Sequence, residues 1–448
     1  MRRDSADNNG NVNPKFPTHL VDYNPVLTSI NVVEREGARV IDGVKLSVRA
    51  LETVDLIATV GVVTPLVIGQ WRGTWMLSEY YGIPWWVSFL VGSVMHLVFA
   101  LLKDLLQDFF SKQREECLLQ SPLVFFVVSR LYTWVFGIAC ISYWRGLWIV
   151  MDEYSGRHIG PVLAVTLVSL ALLSMMKTLR TINASPFSVS LDGLEPGFSF
   201  PTMFRTSGSR ETSLYVLDCL FSVLIVGTLV VFVWRGAWTV LDLYLYPSHA
   251  DWSAWASLAL GYAIVVLTFS LQTPLKGLCG RLEGFWRVCV VDVYLFFSFC
   301  GTVNVWRGIW MLLNIYFLPG NPAASYWITH AGCLLILVLI NCSNSILVRG
   351  VYIDAEEEGG KCAVFPCYYL RLFFQNKRKE KLQQLQIQQQ QQQKAPLVAT
   401  SAKRKSDGDK HLPGSVVLDI QPNSANHVQA PLMGIPLETL QDIPESLL

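Results

Sequence analysis

"YWRGLWIVMDEY", residues 143–154, closes a long apolar run with an arginine, a glycine and two tryptophans. The same device recurs as "QWRGTWMLSEYY" from Gln70, "VWRGAWTVLDLY" from Val233 and "VWRGIWMLLNIY" from Val305. Aligned on the first indole, the copies share Trp71/Trp144/Trp234/Trp306, Arg72/Arg145/Arg235/Arg307, Gly73/Gly146/Gly236/Gly308 and Trp75/Trp148/Trp238/Trp310. Glu79/Asp152/Asp242/Asn314 and then Tyr81/Tyr154/Tyr244/Tyr316 complete each copy.

The chain around these copies is too apolar for water. Of its 448 residues 52% are hydrophobic and 15% charged, against about 25% charged in a soluble domain. Both ends are polar, so the middle is richer still in apolar residues. Eight segments meet or approach the ~20 residues needed to cross a bilayer: 54–77, 85–102, 123–150, 159–176, 214–243, 252–271, 288–317 and 326–348. Helices are the only fit, because a helix satisfies its own backbone polar groups without water. The expected class is an all-α membrane protein of eight transmembrane helices, arranged as four tandem two-helix repeats with disordered cytoplasmic tails. The polar start has no short apolar core behind a basic head, so it is not read as a cleaved signal peptide.

Lys and Arg set the orientation. Lys103, Lys112 and Arg114 follow the second segment, and Lys177, Arg180, Arg205 and Arg210 the fourth. Lys276, Arg281 and Arg287 follow the sixth, and Arg349 the eighth. The opposite connections hold only Arg157 besides the motif arginines. Both termini are therefore expected in the cytoplasm. The expected organisation is a cytoplasmic segment 1–50, repeats one and two in 51–180, a polar cytoplasmic loop 181–212, repeats three and four in 213–349, and a mostly disordered tail 350–448 with its glutamine tract.

Motif starts lie 73, 90 and 72 residues apart, the long interval holding the polar loop. Two helices per unit give every copy the same orientation. Asp55 and Asp218 precede their tryptophan by sixteen residues, Arg130 and Asp292 by fourteen. Units one and three thus match, as do two and four, with a charge reversal. Such charges are costly toward lipid, and Arg130 and Asp292, at one level, are expected to pair across the bundle.

On a helical wheel both tryptophans, the acid and the arginine fall within about 100° of one another, with glycine behind. Three roles fit: a structural clamp joining the repeats, a ring of arginines lining an ion or solute route, or an outer partner site. The clamp is preferred, since Trp and Arg gather at membrane interfaces and small residues allow close helix approach. His96 and His330 suit packing better than proton relay, having no counterparts in other repeats. Cys362 and Cys367 are plain thiols or palmitoylation sites. Ser446 and Leu448 in the terminal "ESLL" fit the ligand form of PDZ-type scaffold proteins. The chain carries no catalytic motif and no ligand set for a metal or cofactor, so it is expected not to be an enzyme.

Eight apolar segments with recurring W-R-G-x-W elements resemble the Fuseless family of invertebrate membrane proteins, over roughly residues 50–350. The resemblance implies a presynaptic plasma-membrane protein that helps localise voltage-gated calcium channels at release sites. Its expected partners are membrane lipid, those channels and PDZ-type scaffolds, with no nucleic acid. The alternative is a transporter or channel built from internal repeats.

Overall fold

The computed structural model describes residues 48–109, 122–192, 200–206, 212–357, 359–365, 369, 370, 382 and 385. Eight apolar helices stand where the sequence predicts them: α1 Thr53–Tyr80, α2 Trp85–Leu101, α3 Leu123–Tyr154, α4 Ile159–Met175, α5 Thr212–Tyr244, α6 Ala250–Cys279, α7 Gly284–Tyr316 and α8 Pro322–Leu339. No strand occurs among the described residues. Six of the eight are long and apolar enough to cross a membrane, and α2 makes a seventh when joined to Lys103–Phe109, which leaves it at 59°. The remaining helix, α4, has 17 residues, about 25 Å at 1.5 Å per residue. This is an integral membrane protein. Leu90, Val94, Leu167, Val168, Val266 and Leu335 are among many large apolar side chains left exposed, as a lipid-facing surface requires.

The motif helices α1, α3, α5 and α7 surround one axis, each touching the next, with α7 returning to α1. The sequence suggests hairpin units, but the partners differ. Each even-numbered helix packs chiefly on the motif helix of the following unit: α2 on α3, α4 on α5, α6 on α7 and α8 on α1. Every unit therefore reaches over its neighbour, and the fourth closes on the first.

Two sequence-predicted boundaries change. The 181–212 segment is not a free polar loop: Ile182, Phe187, Val189, Leu191 and Phe200 are buried in the core. The last apolar segment does not run to Val348 as one helix. It stops near Leu339, turns at Asn341 with φ +61°, and continues as a 3₁₀ turn, Ser343–Ile346. Beyond it, Val351, Cys362 and Phe365 are buried too, so the start of the tail belongs to the fold.

These two segments correspond. Leu179–Ile182 after α4 and Ser343–Ile346 after α8 are both short 3₁₀ turns, each following a residue with positive φ, Lys177 or Asn341. The helices α1 and α5 also share a feature that α3 and α7 lack, a π-helical turn, at Thr59–Val63 and Phe221–Val226. A π turn adds a residue to the helix, which accounts for part of the sixteen-against-fourteen offset read in the sequence. The π turns are thus common to α1 and α5 alone among the four motif helices.

Candidate functional site: a tryptophan well held by arginine latches

The motif works between units. Arg307 Nε donates to Asp242 Oδ1 at 2.9 Å, and its terminal nitrogens donate to Ser257 Oγ and Ser253 Oγ, both at 2.8 Å. Arg235 donates to Asp152 Oδ1 at 2.9 Å, to Ser155 Oγ at 3.0 Å and to the Gly156 carbonyl. Arg72 donates to Asn314 Oδ1 at 2.7 Å and to Ser325 Oγ at 3.2 Å. These three share one rule: the arginine of one unit reaches the acid or amide of the preceding unit, and the preceding unit's even-numbered helix or the turn leading to it. Buried charge is tolerated because each guanidinium is hydrogen-bonded in this way.

The arginine between units one and two departs from the rule. Arg145 donates to Ser88 Oγ at 2.7 Å, but its buried Nε has no partner among the described residues. The acid at that level, Glu79, instead accepts from Trp75 Nε1 at 2.7 Å.

The glycines explain why the latches close. A Cβ at Gly73 would lie 2.3 Å from His330 N, at Gly146 2.6 Å from Phe89 backbone, and at Gly308 2.7 Å from Leu258 N. At Gly236 it would overlap the Thr166 hydroxyl. Gly73, Gly146 and Gly308 therefore face the same helix that their arginines bind, and Gly236 faces α4, just beyond the turn that Arg235 binds, the close approach expected between membrane helices.

The tryptophans turn to the axis. Trp71, Trp144, Trp234 and Trp306 form a closed cycle of edge-to-face contacts with centroids 5.4–5.7 Å apart. Trp75, Trp148, Trp238 and Trp310 form a second cycle, with centroids 5.8–6.0 Å apart and planes within 5° of perpendicular. Each such pair contributes about 0.5–1.5 kcal/mol beyond area burial. Together the two tetrads line a cavity of about 510 Å³, whose wall also includes Glu79, Arg157 and Asn314. Ala184 and Val348, from the segments after α4 and α8, also border it. Three indoles of the first tetrad donate to these segments: Trp71 to the Ile346 carbonyl, Trp234 to Ile182 and Trp306 to Ser185, all at 2.8 Å.

Reciprocal aspartates fasten the two segments. Asp192 accepts from Ser343 N at 2.8 Å and Asn344 N at 2.7 Å. Asp354 accepts from Leu179 N and Arg180 N, both at 2.7 Å. Asp55 and Asp218 do equivalent work on α1 and α5, accepting from Leu370 N at 2.6 Å and Phe204 N at 3.0 Å.

The predicted Arg130–Asp292 pair does not form. Arg130 pairs with Asp192 at 2.6 Å, because the segment after α4 brings a carboxylate to that level. Asp292 occupies the matching place in the other half and meets Asp354, a second acid, while accepting from Ser174 Oγ at 2.5 Å. Burial, with Asp292 adding to it, pushes the Asp354 carboxyl up to about 7. Asp292 Oδ1 is buried with no donor unless a protonated Asp354 supplies one.

Other predicted residues fall as follows. His96 is packed edge-on against Phe136, Tyr143 and Phe200. His330 lies within 2.8 Å of Thr74 Oγ1 through Nδ1 and accepts from Trp134 at Nε2. Cys362 is 3% exposed, its thiol donating to the Gly359 carbonyl; that burial leaves no room for a palmitoyl chain and overturns the lipidation reading there. Cys367, Ser446 and Leu448 lie outside the described residues. Among the described residues no cluster of His, Cys, Asp or Glu suits a metal ion.

Asp192, Asp354 and the latch serines escaped the sequence reading. Their signals were present: "LDG" at 191–193 matches "IDA" at 353–355, and "SFLVG" from Ser88 matches "SLALG" from Ser257.

Comparison with curated proteins and with solved structures finds no match. The family model described as Fuseless matches residues 50–347, the whole helical region with all four motif copies and both rings of indoles. The chain belongs to the Fuseless family.

Proposed function

We infer that this membrane protein is a non-enzymatic organiser of other membrane proteins, and that it localises voltage-gated calcium channels at presynaptic release sites of the plasma membrane. Family membership supports the setting. One observation carries the mechanical part: all four motif arginines are engaged with the neighbouring unit, and none lines the axial cavity. The motif is then a clamp that makes a rigid ring from four units, and the ring presents its edges to partners.

In this reading all eight helices cross the bilayer, with α4 and α2 accommodated by local thinning. The bias of Lys and Arg supports cytoplasmic termini and a motif end outside. The folded segments after α4 and α8 then lie on the cytoplasmic side, and the tail offers Ser446 and Leu448 to PDZ-type scaffolds. The reading predicts that neurons lacking the chain lose channel clusters at release sites while total surface channel is unchanged. Rescue should succeed with the full chain and weaken on deletion of residues 445–448. Clusters of normal size without the chain would contradict it.

A solute pathway is favoured by one feature, the axial cavity. Against it, the segments around Leu179–Ile182 and Ser343–Ile346 receive the indole hydrogen bonds of the first tetrad and border the cavity there. Measured flux in liposomes, abolished by a substitution at Trp234 that leaves folding intact, would favour the pathway.

A further inference from the structure

We propose that the tryptophan well binds a carboxylate with an apolar body, a fatty-acid-like anion whose head sits at the mouth and whose chain lies between the indoles. The inference does not depend on any role in organising channels.

The donors come from the second tetrad. Trp75, Trp148, Trp238 and Trp310 are partly exposed, whereas Trp71, Trp144, Trp234 and Trp306 are buried. The second tetrad therefore stands at the mouth, and the first lies four residues, about 6 Å, deeper. An indole nitrogen donates one hydrogen bond and accepts none. Trp75 Nε1 gives its bond to Glu79 Oε1 at 2.7 Å, so an indole of this tetrad already holds a carboxylate oxygen. At the three other units the residue equivalent to Glu79 is drawn away to a motif arginine: Asp152 to Arg235, Asp242 to Arg307 and Asn314 to Arg72. Trp148, Trp238 and Trp310 keep their N–H groups without a protein partner among the described residues, and none of the three nitrogens is sealed from solvent.

Charge at this level favours an anion. Among the latches and the cavity wall, Arg72, Arg145, Arg157, Arg235 and Arg307 stand against the carboxylates of Glu79, Asp152 and Asp242. Glu153 and Asp251, at the same end, are exposed and do not border the cavity. Arg72 meets an amide in place of an acid, and the buried Nε of Arg145 has no partner among the described residues. Arg157 borders the cavity with its side chain 61% exposed, and its partner Asp242 also binds Arg307. Turning Arg157 to a ligand's head would thus leave Asp242 still paired. The body has its own place: the well holds about 510 Å³, and Met76, Ala184 and Val348 join the indoles in its wall. That volume is within the range of small-molecule sites, which are mostly apolar with a few placed polar groups. Glu79 shares the mouth and competes with the head for Trp75.

The test titrates purified full-length protein in phosphatidylcholine nanodiscs with decanoate by calorimetry at neutral pH, subtracting empty nanodiscs. The neutral 1-decanol and the cationic decylamine serve as controls of equal chain length. Saturable decanoate binding, about tenfold or more tighter than either control, supports the site. Trp238→Phe and Trp310→Phe keep an aromatic ring but remove the donor, and each should weaken decanoate several-fold with little effect on 1-decanol. Arg157→Gln, at an exposed side chain, should weaken decanoate by a smaller factor. Glu79→Ala should tighten it, since a competing carboxylate is lost and a fourth N–H is freed. Melting temperatures are checked for all four variants, and the two at exposed positions carry the test if a tryptophan variant fails to fold. Absence of saturable decanoate binding overturns the proposal, as does equal or tighter binding of decylamine or 1-decanol. Weaker decanoate binding in Glu79→Ala also overturns it.

Discussion

A methyl group at Gly73 would sit 2.3 Å from the backbone nitrogen of His330, and backbone cannot swing aside. Gly73→Ala is therefore expected to push α8 off α1, at about 1–3 kcal/mol or more, and to lower the melting temperature in detergent. Gly277→Ala in α6 has nothing within 4 Å of the new atom and should be neutral or slightly stabilising. Equal effects at the two positions would contradict close helix approach as the role of the motif glycine. The arginines follow the same logic. Asp242→Ala leaves Arg307, 2% exposed, without its carboxylate, and should lower the melting temperature, since a buried guanidinium that loses its partner is destabilising. Glu79→Ala should cost far less, because Glu79 is exposed and bonds an indole rather than a guanidinium. At this scale the sequence was informative about which residues matter. It was silent on their partners, since a helical wheel shows one helix and every latch joins two.

The elements after α4 and α8 tie the halves together, and their chemistry differs where their geometry matches. In one half Arg130 meets Asp192; in the other Asp292 meets Asp354. Exchanging the charges, Arg130→Asp with Asp292→Arg, should not rescue the single variants, because Arg130 and Asp292 belong to different pairs. Restored melting temperature in the double variant would contradict the assignment.

The acid pair has a pH signature. An Asp unfolds to a pKa of about 4, whereas Asp354 is held near 7 in the fold. The native state thus binds that proton more tightly, and stability falls as pH rises from about 4 to about 7, with no further loss from this group above that range. Burial, the larger cause, persists in Asp292→Asn, but loss of the opposing charge should lessen that slope in melts recorded between pH 4.5 and 8. An unchanged slope would remove the pair from the account. The sequence showed the charge reversal between Arg130 and Asp292 but read it as attraction. The missing fact was that a polar stretch, 181–192, folds back into the bundle, where Ile182, Phe187 and Leu191 supply the apolar anchors. Its serines and asparagine gave it the composition of a loop.

For the whole molecule, helix positions were legible because lipid demands long apolar runs, and α1 to α8 begin within a few residues of their predicted places. Packing order was not. Repeats read along a chain suggest hairpins, yet each even-numbered helix lies on the next unit, a choice made by the interlocking of Gly73, Gly146, Gly236 and Gly308 with neighbours distant in sequence. Closure of the fourth unit on the first is the central claim, since the tetrads, the latches and the well all depend on it. Tyr81 at the end of α1 and Trp327 in α8 meet across that seam, Trp327 Nε1 donating to Tyr81 Oη at 3.3 Å, and both are exposed. The direct measurement is a Tyr81→Cys/Trp327→Cys chain treated with a short bismaleimide, then cut at a protease site inserted within residues 110–121. Closure predicts that the two fragments stay joined within one chain, and that neither single variant joins them. Fragments that separate, or that join only between chains, would contradict the ring.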